Sequence, residues 1–457
     1  MGRMARLLVG PGSVVTFGKD GEVIEEGGVL IDGNVIESVG KYDDLHRALG
    51  ERKEEFETLD AGGRVILPGI VNAHMHFYST FARGMALKDA PPENFVQILE
   101  RLWWRLDKAL GPEDCYLSAA IPILQGLRYG ITTYLDHHAS PFYREGTPLG
   151  CLEEVGQAVL DTGVRACLCY EVSDRDGQTV AEVGMSENER FIEMCRTGHG
   201  GGRLSGMIGL HAQFTCEDDT LERARQLNDY LRAGCHIHCA EDVADAENAR
   251  SRGFQGAVDR LREFGILGEK SILAHCIHIT DAEVEMIASS GTAVVHQPTS
   301  NMNNAVGAAA IVDLAAEGIL LGVGTDGMSP VVWNDFRTAS WLMRHRAADP
   351  RQGWGESVAL LVEGNPALAS RYFEKPVGVL REGAFADVAV MDYFPPTPLS
   401  KDSLGGHLLF GLSHSTAYHV VCDGKILLES GRLKLDIDEE GLAARAREHA
   451  QELWERF

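Results

Sequence analysis

Between residues 65 and 326, short apolar runs alternate with longer amphipathic stretches, and each run closes on residues able to hold a metal or move a proton. Eight runs can be counted, ending near His74-Met75-His76, Asp136-His137-His138, Tyr170-Glu171, His211, His238-Cys239-Ala240-Glu241, His275, His296-Gln297 and Asp326. Strand signals alternating with helix signals point to βα units and a parallel sheet. Eight such units predict an α/β chain built on a (β/α)8 TIM barrel, whose chemistry sits at the C-terminal ends of its strands. The stretch from Glu93 to Leu110 reads as one amphipathic helix ended by Gly111-Pro112, with Trp103 and Trp104 facing the core.

The flanks differ in style. From Leu7 to about Arg64, and again from about Pro376, short apolar runs are separated by turn residues, with Asp32-Gly33 and Asp423-Gly424 as hairpin signals. The expected organisation is residues 1–66 and 376–457 forming one small β-sandwich domain from both termini, around a barrel at 67–375. A final helix is expected over about Glu440–Glu455. A chain of 457 residues has room for about three domains, though one barrel can absorb much of that length.

The charge narrows the partners. With 42 Lys+Arg against 67 Asp+Glu the formal net charge is −25, which argues against nucleic acid and anionic membrane surfaces. The 10 cysteines include no Cys-x-x-Cys pair and several lie in apolar runs, which suits reduced, buried thiols. The N-terminus lacks the apolar segment of a secretory signal, and no stretch is apolar for long enough to span a bilayer. A cytoplasmic protein is expected.

In a strand, residues i and i+2 point the same way, so His74 and His76 can grip one cation. With 17 histidines, chance alone supplies roughly one His-x-His, so the pair is weak evidence by itself. The later strand ends strengthen it: His238 with Glu241 three residues on, His275, and Asp326 between Gly324 and Gly327. His236, two residues before His238, is a rival ligand or a hydrogen-bonded core histidine. His278 reads as structural.

Pro68-Gly69-Ile70-Val71-Asn72-Ala73-His74-Met75-His76, His238-x-x-Glu241, Ala274-His275-Cys276 and Gly324-Thr325-Asp326-Gly327 resemble the amidohydrolase superfamily, in its cytosine-deaminase-like and chlorohydrolase-like branch. Within that branch, Asp136-His137-His138-Ala139-Ser140-Pro141, Gly209-Leu210-His211-Ala212 and the run from Ser300 to Gly307 resemble the SsnA group of aminohydrolases. The resemblance implies one divalent metal, zinc first and ferrous iron as the alternative, on His74, His76, His238 and Asp326. Such a donor set suits these ions and leaves a position for water. It also implies catalytic roles: Asp326 taking the water's proton, Glu241 protonating a ring nitrogen, and His275 acting at the tetrahedral oxygen. Two-metal members carry a carboxylated lysine on the fourth strand. Here that strand offers His211, which favours one metal and gives His211 a place at the substrate. His137 and His138, whose alternative role is support of a second metal, and Gln297 and Asn301 are further candidates for substrate contact.

The implied activity is hydrolytic deamination of a nitrogen heterocycle (a purine, pterin or pyrimidine-like ring) with release of ammonia, and the SsnA likeness suggests purine catabolism. A cyclic amidohydrolase that opens a ring amide is the alternative. A barrel that binds a heterocycle without turnover is a third reading, opposed by the presence of proton-transfer groups. Oligomers are frequent in the family, so a homodimer is expected from the resemblance.

Overall fold

A computed structural model describes residues 6–140 and 150–457. Pro141, which closes one of the SsnA-like motifs, lies outside the described residues. Both ends of the chain meet in one mixed sheet of nine strands. The N-terminal part supplies β1 (Arg6–Val15), β2 (Val23–Asp32), β3 (Val35–Lys41), β4 (Glu57–Leu59) and β5 (Val65–Pro68). The C-terminal part supplies β15 (Val388–Met391), β16 (Ala417–Cys422), β17 (Lys425–Glu429) and β18 (Arg432–Leu433). The order is β18-β17-β16-β15-β5-β1-β2-β3, with β4 paired to β1, so the seam between the two ends of the chain is the antiparallel β15–β5 pair. Alternate residues such as Leu7, Val9, Val29, Ile31, Val388 and Val390 share one apolar cluster, which fixes the register. At the β16–β17 hairpin, Asp423 and Gly424 take φ of 51° and 74°, the left-handed pair that an Asp-Gly turn of type I′ requires.

The intervening strands are all parallel to their neighbours. β6 (Ile70–Met75), β7 (Ile131–His138), β8 (Arg165–Tyr170) and β9 (Leu204–Gly206) form a four-stranded sheet. β10 (Ile208–Ala212), β11 (Cys235–Cys239), β12 (Ile272–His275), β13 (Ala293–His296) and β14 (Leu321–Val323) form a five-stranded one. Single parallel bridges, Met75 to Asp326 and Val172 to Leu210, link the two sheets. Every residue of β6, β7, β8 and β11 is buried, as strands covered on both faces must be, which is why they read as apolar runs.

Two local features set up the site. At Gly324 an added Cβ would lie 2.6 Å from the His74 backbone, so glycine lets the chain after β14 press against β6, where Thr325 and Asp326 both donate their N–H to His74 O. Gly324 thus serves contact between strands. The expected helix over Glu93–Leu110 is broken: Phe95–Ile98 and Trp104–Ala109 are α-helical and Leu99–Trp103 forms a π turn between them. Such a turn rotates the residues that follow out of helical phase. The C-terminal helix runs Glu439–Arg456, with Asp438 accepting from Gly441 N–H at its start.

Arg165, the first residue of β8, fastens the terminal sheet beneath these strands. Its fully buried guanidinium donates to Asp387 (3.1 and 3.4 Å) and Asp423 (3.3 Å), and it lies 3.6 Å from the centre of the Phe385 ring. No described helix is long and apolar enough to cross a membrane.

Candidate active site

The parallel strands direct their C-terminal ends to one side, and the residues just past them converge. Ligand atoms of His74, His76, His238 and Asp326 all lie within 4.8 Å of one another. Asp326 Oδ1 stands 3.0 Å from His76 Nε2 and 3.4 Å from His74 Nε2, and the Nε2 atoms of His76 and His238 are 3.0 Å apart. The outer nitrogens explain this orientation. His76 Nδ1 donates to His137 O at 2.5 Å, and His238 Nδ1 donates to His211 O at 2.8 Å. His74 Nδ1 meets His236 Nε2 at 2.8 Å. With each Nδ1–H engaged, the three Nε2 lone pairs face a common point, as metal-binding histidines require.

The electrostatics fit a cation there. Burial, with neighbouring imidazoles, holds His74 and His238 below the ordinary histidine range, so both are neutral donors. Burial lowers His76 too, but the Asp326 carboxylate overrides it and raises the ring to about 9. Burial alone would raise Asp326; its close approach to the His74 and His76 rings and the charge on His76 hold it well below the carboxylate range instead. His74 Nε2 is buried without a hydrogen-bond partner among the described residues, an orphan a metal would satisfy.

Beside this group stand Glu241 and His275, with Glu241 Oε2 3.4 Å and Asp326 Oδ2 4.0 Å from His275 Nε2. Burial and the charge on Asp326 push Glu241 well above the ordinary carboxylate range, while Asn304 Nδ2 donates to its Oε1 at 3.2 Å. Burial takes His275 down to about 3. Ala240, His275, Cys276 and Asp326 all have φ between 48° and 74°, a region costing non-glycine residues about 1–3 kcal/mol each. The strain gathers where the strands deliver these side chains.

A cavity of about 230 Å³ opens over His76, His238, Glu241 and Asp326. Its walls include Phe95, Leu99, Trp103, Trp104, Phe214 and Met328.

A model of the amidohydrolase family matches residues 65–427. The chain belongs to the amidohydrolase family. It is 30% identical to the 5-methylthioadenosine/S-adenosylhomocysteine deaminase of Syntrophomonas wolfei over 98% of this chain and 99% of that protein. It is 28% identical to the 5′-deoxyadenosine deaminase of Methanosarcina mazei, again over 98% and 99%. Among solved structures, an adenosine deaminase from Xanthomonas campestris with bound zinc superposes with a TM-score of 0.80 at 22% identity, over 99% of each chain.

In this amidohydrolase, His211 reaches the cavity as expected, with Nδ1 2.6 Å from Thr215 Oγ1 and Nε2 3.5 Å from Glu171 Oε1. The other four candidates for substrate contact do not reach the wall. His137 lies behind the cluster, stacked on His236 with Nε2 3.1 Å from His236 O. His138 turns the other way along β7 and meets Ser140 Oγ at 2.8 Å. Gln297 accepts the His275 N–H at 3.0 Å, and Asn301 Nδ2 lies 2.7 Å from His275 Nδ1. All four are fully buried and carry neighbours of the site rather than the cavity surface. His236 proves to be the partner of His74, and His278 meets Val306 O at 2.8 Å.

Three wall elements escaped the sequence reading. Trp103 and Trp104, expected in the core, line the cavity. Glu171, one residue past β8, lies within 4.0 Å of His76, His211 and His238, and burial pushes its carboxyl up to about 7. Arg175 pairs with buried Asp107, and Lys108 with Asp176, which pins the tryptophan-bearing segment to the loop after β8. The signal for Glu171 was available: a charged residue closing an apolar strand is what singled out His275 and Asp326.

Proposed function

We propose that the chain is a divalent-metal-dependent hydrolase that deaminates a nitrogen heterocycle and releases ammonia. The observation that carries this reading is the convergence of His74, His76, His238 and Asp326 beside Glu241 and His275 at the floor of one aromatic-walled cavity. Three imidazole nitrogens and one carboxylate suit zinc, with ferrous iron as the alternative. Bound there, the ion would act as a Lewis acid and bring the pKa of a coordinated water down to about 7.

The protein's own groups divide the proton transfers. Asp326 presents Oδ1 to His74 and His76 and Oδ2 toward His275, so one oxygen is free to accept a proton from the attacking water. Glu241, kept protonated by burial, donates to a ring nitrogen and makes the attacked carbon more electrophilic. His275 faces the same space through Nε2 and stabilises the developing oxygen. The tryptophans and Phe214 supply planar apolar surface for a flat ring and exclude water from it.

The 5-methylthioadenosine/S-adenosylhomocysteine and 5′-deoxyadenosine deaminases among the relatives favour a purine-type ring, and the motifs around Asp136, His211 and Asn301 keep the SsnA likeness and purine catabolism as the finer reading. We read the two parallel sheets as halves of one (β/α)8 barrel, with residues 1–66 and 376–457 as the appended β-sandwich domain and 67–375 as the hydrolase. A cytoplasmic homodimer completes the proposal.

Metal analysis joined to an ammonia-release screen of purines, pterins and triazines tests it. Ammonia from at least one ring is expected, with loss of turnover in Glu241→Gln. A carboxylate product without ammonia would mean ring opening. No turnover by the metal-loaded protein, or full turnover by E241Q, would refute the reading.

A further inference from the structure

Resting on the deaminase reading, we propose that Glu171 is the specificity-determining residue: its carboxyl oxygens read N–H donors on the substrate ring, so the site selects donor-rich, neutral or cationic heterocycles and rejects anionic ones.

Glu171 is the first residue beyond β8, and its N–H donates to His138 O at 2.8 Å, which fixes where the side chain starts. It lines the cavity yet is only 6% exposed, and Oε2 is buried with no hydrogen-bond partner among the described residues. His76 Nδ1, 4.0 Å from Oε2, is spent on His137 O. His238 Nδ1 and His211 Nε2 approach the other oxygen, Oε1, at 3.6 and 3.5 Å, and the His238 proton is spent on His211 O. Arg175, the only arginine or lysine on the described wall, gives its Nη2 to Asp107 and its Nε to Asp176.

A carboxyl group keeps an acceptor oxygen in either protonation state. Leaving such an acceptor buried and unpaired is costly, so a partner that arrives with the ligand recovers that free energy. The carboxylates Asp242 and Asp326 also face the cavity. A carboxylate or phosphate on the ring edge that faces Glu171 would meet that carboxyl, while Arg175, the cation of that wall, is already engaged by Asp107 and Asp176. An amino or amidine edge would find an acceptor within reach of the floor where the reaction takes place.

The test is ligand binding by the zinc-loaded protein, followed through the fluorescence of Trp103 and Trp104, with 2,6-diaminopurine, purine and purine-6-carboxylate as probes. Glu171→Gln and Glu171→Leu are compared with the parent, and zinc content is measured for each. The parent is expected to bind diaminopurine about 10- to 100-fold more tightly than purine, the range for a hydrogen bond to a charged group, and to bind the carboxylate most weakly. E171L should bring the first preference to within about threefold of unity. E171Q should weaken it at least about threefold and improve binding of the carboxylate, with zinc unchanged in both. Equal preferences in parent and E171Q overturn the proposal, as does failure of the parent to bind diaminopurine. Zinc loss in E171Q also overturns it, by making Glu171 a support for His76 and His238. Preference without ammonia release would support the role of Glu171 while sinking the deaminase reading; turnover with an unchanged preference would do the reverse.

Discussion

Asn301 offers a direct test of how the site sets the proton on His275. Its Nδ2 lies 2.7 Å from His275 Nδ1, so with the amide nitrogen on that side Asn301 donates and the ring proton is confined to Nε2. That N–H then faces Glu241 Oε2 at 3.4 Å and Asp326 Oδ2 at 4.0 Å, on the cavity side of the ring. Two substitutions separate positioning from tautomer control. Asn301→Ala removes one neutral hydrogen bond, worth about 0.5–1.5 kcal/mol, so kcat should fall about 2- to 13-fold while the tautomer remains accessible. Asn301→Asp supplies an acceptor in place of a donor and draws the proton to Nδ1, leaving Nε2 a bare lone pair facing two carboxyl groups. A histidine held in the wrong tautomer costs an acyl-transfer triad about 10⁴ in kcat, so a loss of about 10²–10⁴ is expected. Ammonia release gives the rates, and ¹⁵N chemical shifts of the His275 ring report the tautomer directly. The reasoning is refuted if N301D loses no more than N301A, or if the parent ring carries its proton on Nδ1.

Three further outcomes follow from other parts of the molecule. His236→Phe removes the 2.8 Å partner of His74 Nδ1 and should weaken zinc binding about 10- to 100-fold in competition with a chelator of known affinity, with His236→Gln recovering part of the loss. Arg165→Met leaves buried Asp387 without its cation and should cost about 3–5 kcal/mol in urea unfolding; equal stability would mean that the terminal sheet docks without this ion pair. Asp335 is 3% exposed, and burial raises its carboxyl to about 7, so its contribution favours the folded state below the unfolded pKa near 4 and is lost as pH rises to about 7. The urea midpoint of the parent should therefore fall relative to that of Asp335→Asn between pH 4.5 and 8, by at most about 4 kcal/mol in stability, and a constant difference would refute the shift.

The floor of the site was legible because buried parallel strands are apolar throughout, so the residue that ends each run stands out. His74, His76, His238, Glu241, His275 and Asp326 were all found that way, and Asp326 belongs both to the group with His74, His76 and His238 and to the group with Glu241 and His275. The walls follow other rules. Trp103 and Trp104 looked like the core-facing apolar stripe of a helix, and nothing local in the sequence says that the face they share with Phe95 and Leu99 borders a cavity rather than the core. His137, His138 and Gln297 share the strand-end positions of the ligands but not their direction, because successive residues of a strand point to opposite faces. Gln297 and Asn301, the latter in the helix after β13, are taken up by the His275 backbone N–H and ring Nδ1. The nine-stranded terminal sheet was legible in its parts. Its seam at β15–β5 pairs segments more than 300 residues apart, as Val390 with Ile66 shows, and no local pattern announces it.

The buried residues that do not touch the cavity still determine what its floor can bind. His76 and His238 are oriented by main-chain carbonyls of His137 and His211, which belong to the neighbouring strands β7 and β10, so their geometry follows from strand register and not from side-chain choice. A one-residue slip of either strand would turn those carbonyls away and free both imidazoles to rotate. His74 alone depends on a side chain, His236, and it is also the ligand whose Nε2 lacks a protein partner. Substitutions near His76 or His238 should therefore leave the ring orientations intact unless they shift the strands, whereas a change at position 236 acts on His74 directly. The left-handed conformations of Ala240, His275, Cys276 and Asp326 are held by the same strand contacts, including Asp326 N–H to His74 O and Cys276 N–H to Cys239 O. Strain of that size persists only where the surrounding backbone over-determines it, so the arrangement of the floor is a property of the whole parallel framework.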